Sequence, residues 1–234
     1  MKKIISILLL AFSLNSCAYI NKQADIAEQK RARYTVDMRS PQVPAGQIDA
    51  QFNRAFPATG ITKRNVTVTY FPYEDAVCLQ FRSNMVTYSQ FWHRPARVAF
   101  LAALNKYNED FSAQKLRNRN TKTRNQYGAA ESCYVVWQMY AYSRQASGNM
   151  EIELGYYFRE GSPFFAVTQM PALFESPTLD RNDNETSPEI PIFFTKAQAE
   201  ELAALFDQGF LEGLAPETRP AIRSGGTDAE FDGY

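Results

Sequence analysis

One imidazole, His93, is the whole histidine complement of this 234-residue chain. Zinc, copper and non-haem iron sites draw on several imidazoles or thiolates, so one histidine and three cysteines argue against such a metal. As a general base His93 could serve a thiol or a hydroxyl. Cys133 is the thiol to weigh, because a thiolate needs only a nearby base or positive charge. A serine nucleophile lacks its usual setting: no G-x-S-x-G turn is present, and Gly161-Ser162-Pro163 reads better as a hairpin. The run from Asp180 to Glu185 offers carboxylates to calcium, yet its spacing lacks the glycine and final glutamate of an EF-hand loop and fits a solvated loop. Nor is there a glycine-rich phosphate loop. No catalytic residue, cofactor or metal is expected.

Binding chemistry is better represented. Basic and acidic residues balance at 25 each, so the chain has no bulk attraction to nucleic acid. Locally, Lys115, Arg117, Arg119, Lys122 and Arg124 crowd residues 111–130 without an acid among them. Each such residue near an anionic surface contributes about 1 kcal/mol, which suits lipid headgroups or an acidic partner. The competing expectation is a loop kept soluble by its charge. Residues 175–189 form the acidic counterpart, with five acids to one arginine. A second surface is aromatic. If Cys133, Val135 and Trp137 face the core, then Tyr134, Tyr140 and Tyr142 stand on the opposite sheet face, where a ring with a polar handle suits recognition. Alternatively, the N-terminal segment or the long loop from Pro171 to Pro191 covers that face.

These residues need elements to hold them. At 45% hydrophobic and 14% aromatic the chain can bury a sizeable core, and its length suits one domain with tails. Gln47 to Phe56 reads as a short helix, with Ile48, Phe52 and Phe56 at four-residue intervals before Pro57. Alternation marks strands around Val66–Tyr70, Val77–Phe81 and Met85–Phe91, with turn residues from Phe71 to Asp75. Pro95 suits a helix start, and a helix to about Leu116 places Phe100, Leu104, Tyr107 and Phe111 on one stripe. A three-stranded meander follows, from Cys133–Tyr142 through Ile152–Phe158 to Phe165–Met170. Thr195 and Gln198 then form a capping-box pattern before a helix burying Leu202, Leu205, Phe206 and Phe210. The expected fold is α+β, an antiparallel sheet of about five or six strands with two main helices on one face.

The N-terminus adds an address. Met1-Lys2-Lys3 precedes an apolar run of nine residues, Ile4 to Phe12, and then Ser13-Leu14-Asn15-Ser16. This is the layout of a secretory signal, and the run is far short of the roughly twenty residues a spanning helix needs. Leu14-Asn15-Ser16-Cys17 resembles the lipobox of bacterial lipoproteins, with a branched apolar residue three places before the cysteine and a small one just before it. The resemblance covers residues 1–17 only, and no motif beyond Cys17 marks a family. It implies cleavage before Cys17, diacylglycerol on its thiol and acylation of the new amino terminus, and two or more chains anchor stably where one is marginal. In that family an Asp after the cysteine keeps some members in the inner membrane; Ala18 stands there instead, pointing to the outer membrane where the host has one.

The expected organisation is a signal peptide at 1–16, a lipidated tether at 17–46 carrying Pro41, Pro44 and Gly46, a single domain at 47–214 and a flexible tail at 215–234. Cleavage removes two lysines, leaving 23 basic against 25 acidic residues. With Cys17 committed to lipid, Cys78 and Cys133 remain as a pair that an oxidising compartment permits to bridge; the alternative is two small buried hydrophobes. The functional expectation is a non-enzymatic envelope lipoprotein, a binding or assembly module meeting an envelope protein or an anionic surface. Two rivals are an envelope hydrolase using His93 with Cys133 or a serine, and a carrier of lipid or another apolar ligand between sheet and helices. The anchor has a direct check: labelled palmitate should enter the wild-type chain and be lost in Cys17→Ala, and label retained by the variant would refute it.

Overall fold

The computed structural model describes residues 34–54, 60–83, 85–118, 125–139, 145–172 and 186–215. Eight strands appear, β1 (Val43–Asn53), β2 (Ile61–Phe71), β3 (Ala76–Ser83), β4 (Val86–His93), β5 (Asn125–Met139), β6 (Gln145–Arg159), β7 (Ser162–Gln169) and β8 (Ile190–Phe194). Helix α1 (Arg94–Ser112) joins β4 to β5, and α2 (Lys196–Phe206) and α3 (Gln208–Leu214) follow β8. Each strand pairs antiparallel with the next, and β8 returns to β1, closing a barrel.

A closed barrel overturns the expected α+β sheet, for three physical reasons. A four-residue interval satisfies a strand as well as a helix, since residues two and four apart share a strand face. Ile48, Ala50 and Phe52 accordingly point inward from β1, not from the predicted helix, and β1 pairs with β2 from Val43↔Tyr70 to Asn53↔Ile61. The domain therefore begins before residue 47. Second, β8 is only five residues long and contains Pro191, which argues against a strand in sequence. Third, alternation records that one face is buried but not that the sheet curls until its edges meet. The inward rows themselves are those expected: Val66, Val68 and Tyr70; Val77, Leu79 and Phe81; Cys133, Val135 and Trp137; Ile152 and Leu154.

Eight strands leave an interior just wide enough for side chains to fill. Trp92, Tyr88, Phe52, Phe165 and Phe194 fill it from the strands, and Phe100, Tyr107 and Phe206 enter from the helices. Phe100 sits at the junction, edge-on to Trp92 (5.9 Å), Phe165 (5.4 Å) and Phe206 (5.0 Å). Of the four residues on the expected helix stripe, Phe100, Leu104 and Tyr107 are buried and Phe111 is exposed. Thr195 caps α2 as its sequence foretold, each partner of the box bonding the other's backbone amide. The last helix is interrupted, however, at Asp207, whose carboxylate accepts from Phe210 N and starts α3.

Closure itself is brief. β1 meets β8 at only two register pairs, Gln51↔Phe193 and Phe52↔Ile192. Along the rest of β1, α2 packs instead, and Leu205 lies where a Cβ on Gly46 would come within 3.2 Å. Two polar side chains also point into the barrel. Gln90 donates to Gln169 Oε1 (2.8 Å), and Gln169 donates to Ser187 Oγ and the Pro188 carbonyl. These bonds fasten the segment before β8 to the wall.

Residues 34–42 form a strap over the outer face of β3 to β5. Tyr34 N donates to Asn149 Oδ1 (2.8 Å), and Ser132 donates to the Tyr34 hydroxyl (2.9 Å). Val36 is buried with Phe71, Cys78, Phe91 and Val136, and Tyr134 packs against this cluster. Away from the strap the outward positions of β1 to β3 are polar, such as Gln47, Asp49, Lys63, Asn65, Gln80 and Arg82, whereas Tyr157, Ala166, Pro191 and Phe193 face outward from β6 to β8. No helix among the described residues is long and apolar enough to cross a membrane.

Arg97, only 2% exposed, joins the helices to the barrel. Its guanidinium donates to the carbonyls of Asp75 (2.7 Å) and Trp92 (3.0 Å), to Asp75 Oδ1 (2.8 Å) and to Gln208 Oε1 (2.7 Å). Removing one member of a buried charged network leaves the others unsatisfied. Arg97→Met should lower unfolding stability by about 3 kcal/mol in urea titration, and an unchanged midpoint would show that the network is dispensable.

Candidate functional site

His93 and Cys133 do not form a pair. Cys133 lies opposite Trp92 across the β4–β5 ladder and points into the barrel, whereas His93 points outward beneath the strap. The sheet itself separates thiol from imidazole. Tyr34 stacks on the His93 ring (4.6 Å between centroids), and Nδ1 lies 3.3 Å from the Glu74 carbonyl. Burial lowers the His93 pKa below its ordinary value, the Glu74 contact opposing only part of the shift.

Both remaining cysteines are free. Cys78 faces the outer cluster and Cys133 the core, with β4 between their strands, so the permitted bridge does not form. Burial pushes the Cys78 thiol up to about 12 and raises that of Cys133 well above its usual value. Both behave as small buried hydrophobes. Among the described residues no cluster of histidine, cysteine or acid side chains is arranged to hold a metal.

Of the aromatic surface, Tyr134 lies half-buried against the strap's apolar cluster, while Tyr140 and Tyr142 lie outside the described residues. Of the basic cluster, Lys115 and Arg117 are exposed just beyond α1, and Arg119, Lys122 and Arg124 fall outside the described residues, as do Cys17 and the Asp180–Glu185 run.

The structure instead presents a groove of about 300 Å³ on the outer wall, across β5 to β8 and the end of β1. Its floor is made of small side chains in register: Gly155 opposite Ala166, which lies opposite Phe193, and beside them Glu153 opposite Thr168 opposite Pro191. Gly155 is required by contact. A bulge between Gln126 and Gly128 brings the Asn125 carbonyl so close that a Cβ on residue 155 would collide with its oxygen.

One wall is an aromatic–cation stack. The Arg159 guanidinium lies 4.7 Å from the Tyr157 ring centre and 4.9 Å from that of Phe193, and the two rings are 5.8 Å apart. This explains how Phe193, on the outward face of β8, is only 2% exposed. Arg159 Nη2 donates to Asn53 Oδ1 (2.7 Å), fixing the side chain across β7 and β8 onto β1. Its Nε–H is buried without a hydrogen-bond acceptor. Asn125, Gln126, Glu153 and Glu189 complete the rim.

Sequence reasoning passes over these residues because it follows the core-facing row of β6. The complementary row reads Glu153, Gly155, Tyr157, Arg159, and a glycine inside a strand marks a bulge or a close approach. That glycine is the available signal. Similarly, adjacent Phe193 and Phe194 cannot both point inward from one strand, so one aromatic ring is bound to face out.

Together, fold and groove define an up-and-down antiparallel barrel with a filled interior and a groove on its outer wall. The chain belongs to the family described as "Uncharacterised Treponema protein", which it matches over residues 29–213. Family membership thus covers the folded part, where motifs alone had marked none. An uncharacterized protein of Treponema pallidum (strain Nichols) is 23% identical over 159 residues, 68% of this chain and 55% of that protein. The chain therefore spans about half the length of that relative. No solved structure matches it.

The His93 shift carries a pH signature. Because the folded pKa lies below the unfolded value of 6.5, the unfolded chain binds more protons as the pH falls through that range. Folding stability contributed by the neutral ring is therefore present above it and is lost toward acid. Urea midpoints of wild type should drop relative to those of His93→Gln between about pH 8 and about pH 5; a difference that stays constant across that range would refute the assignment.

Proposed function

We propose that this protein is a lipid-anchored envelope lipoprotein in which the barrel acts as a non-enzymatic binding module, with the groove over β5 to β8 as its binding face. The anchor half of the reading rests on Leu14-Asn15-Ser16-Cys17 behind a short apolar signal. Attachment through the Cys17 lipid puts the module at the cell envelope, on the outer membrane where the host has one.

The observation that carries the binding half is the position of the groove. A barrel whose interior is occupied by Trp92, Phe100, Phe165 and Phe194 has its recognition surface outside, and the groove joins an aromatic–cation wall to a low floor there. Both rivals lack a supporting observation. The hydrolase needs an imidazole beside its nucleophile, and β4 and the strap enclose His93 instead. The carrier needs room between sheet and helices, where the rings of Trp92, Phe100 and Phe206 meet edge to face or tilted.

Ala166→Leu tests the reading, because residue 166 faces outward and a larger side chain there fills the groove without entering the core. Wild-type protein immobilised and exposed to detergent-solubilised envelope should retain a component that Ala166→Leu, melting at the same temperature, does not. Equal retention by both proteins, or by neither, would remove the groove as the binding face.

A further inference from the structure

The exposed apolar side chains of the barrel are unevenly placed. Successive connections of an up-and-down barrel alternate between its two ends, so the start of β1, the β2–β3 turn and the starts of α1 and α2 share one end, and the β3–β4 hairpin stands at the other. Six large apolar side chains are exposed among the described residues: Met38, Tyr73, Met85, Val98, Phe111 and Phe210. Met85 belongs to the far hairpin. Met38 and Tyr73 stand on two turns at the helical end, and the turns are joined by Ser40, whose hydroxyl donates to Glu74 Oε1 (3.1 Å). Arg94 ties the same corner to the helices, pairing with Asp75 and lying 3.6 Å from Glu212 of α3. Val98 follows Arg94 by one helical turn on the outward face of α1, beside the exposed Pro95 and Ala102. Single exposed apolar residues are ordinary, whereas three on adjoining segments mark a surface that meets something apolar.

The N-terminal chain enters at this end. Tyr34 stacks on His93, the last residue of β4, and the strap runs from there through Met38 into β1. Because the strap and the start of β1 are bound to the barrel, the tether expected over 17–46 shortens to 17–33. On the reading that Cys17 carries lipid, a short linker thus delivers the bilayer to the end that bears Met38 and Tyr73. The charges there permit the approach: Asp75 is paired with Arg94 and Arg97, Glu74 accepts from Ser40, and Asp37 accepts from the Arg39 amide. Arg39 is exposed beside Met38, with a stem that can lie along lipid while its charge stays among the headgroups. A tyrosine ring suits the same depth, one end apolar and the other wet. Lys115 and Arg117 lie past the far end of α1, a helix that spans about 28 Å, so a basic contact through them would present a different surface.

We propose that the helical end of the barrel rests on the bilayer that holds the Cys17 lipid, with Met38, Tyr73 and Val98 entering its interfacial zone. The lipid supplies the attachment and the apolar end supplies the orientation. Docking draws on apolar burial and needs no anionic lipid.

The test uses the mature chain with its Cys17 lipid, inserted from outside into preformed phosphatidylcholine vesicles. A fluorophore is attached through one introduced cysteine at a time, Met38→Cys, Tyr73→Cys, Met85→Cys or Arg117→Cys; Cys78 and Cys133 are buried and do not compete for it. Iodide quenching on the vesicle is compared with that of the same labelled chain made without its signal as Cys17→Ser, free in solution. Quenching at positions 38 and 73 should fall several-fold on the vesicle, and quenching at 85 and 117 should stay as it is in solution. All four sites are at the surface, and either of the first two decides alone if the other variant melts early. Equal quenching of 38 and 73 on the vesicle and in solution would overturn the docking while leaving the anchored lipoprotein in place. Protection that requires phosphatidylglycerol in the vesicle and appears at 117 instead would overturn it in favour of the basic cluster. A chain that fails to float with the vesicles would remove the lipid anchor and the docking together.

Discussion

Closure of the barrel depends on the two register pairs between β1 and β8, where Gln51 meets Phe193 and Phe52 meets Ile192. An open sheet presents unpaired backbone groups along both edges, and a barrel removes them only if its last strand reaches its first. Here the last strand is five residues long, so it satisfies only a fraction of the β1 edge. Helix α2 covers part of the remainder, with Leu205 against Gly46, and the bonds from Gln169 to Ser187 and Pro188 hold the chain entering β8 in place. The filled interior and the Arg97 network hold the rest of the barrel and its helices together around this seam.

The seam also assembles the groove. Phe193 is a seam residue, Asn53 follows immediately on the other strand, and Arg159 reaches across β7 to touch both. Residues from β5, β6, β8 and β1, distant in sequence, meet there only because the sheet has closed. The site is thus a product of topology: an open sheet of the same strands would leave Asn53 on the β1 edge and Arg159 five strands away on β6. At the seam the short β8 leaves room for the Arg159 side chain of β6 to lean over Phe193.

Local features are legible in the chain because local chemistry sets them. The Thr195–Gln198 box, the start of α1 near Pro95, the turn from Phe71 to Asp75 and the inward rows of β2, β3, β5 and β6 all come from residues within a few positions of one another. Curvature is not legible, because period-two alternation is identical in an open and a closed sheet. β1 reads as a helix because Ile48 and Phe52 satisfy both periods, and Ala50 is too small to tip the choice toward a strand. The groove escapes for a related reason. Glu153, Gly155, Tyr157 and Arg159 occupy the row that a core-seeking reading discards, and their partners Asn53 and Phe193 are brought near only by closure.

The strap has a mechanical consequence. Tyr34 grips His93 on β4, Ser132 on β5 and Asn149 on β6, while Val36 is embedded over β3 to β5. Tension arriving through the N-terminal chain therefore enters the barrel through the broad, many-stranded wall and is spread over several contacts at once. The β1–β8 seam lies elsewhere on the circumference and carries little of that load. A pull applied at Tyr34 would thus meet the strap's contacts before it reached the seam or the groove that the seam assembles.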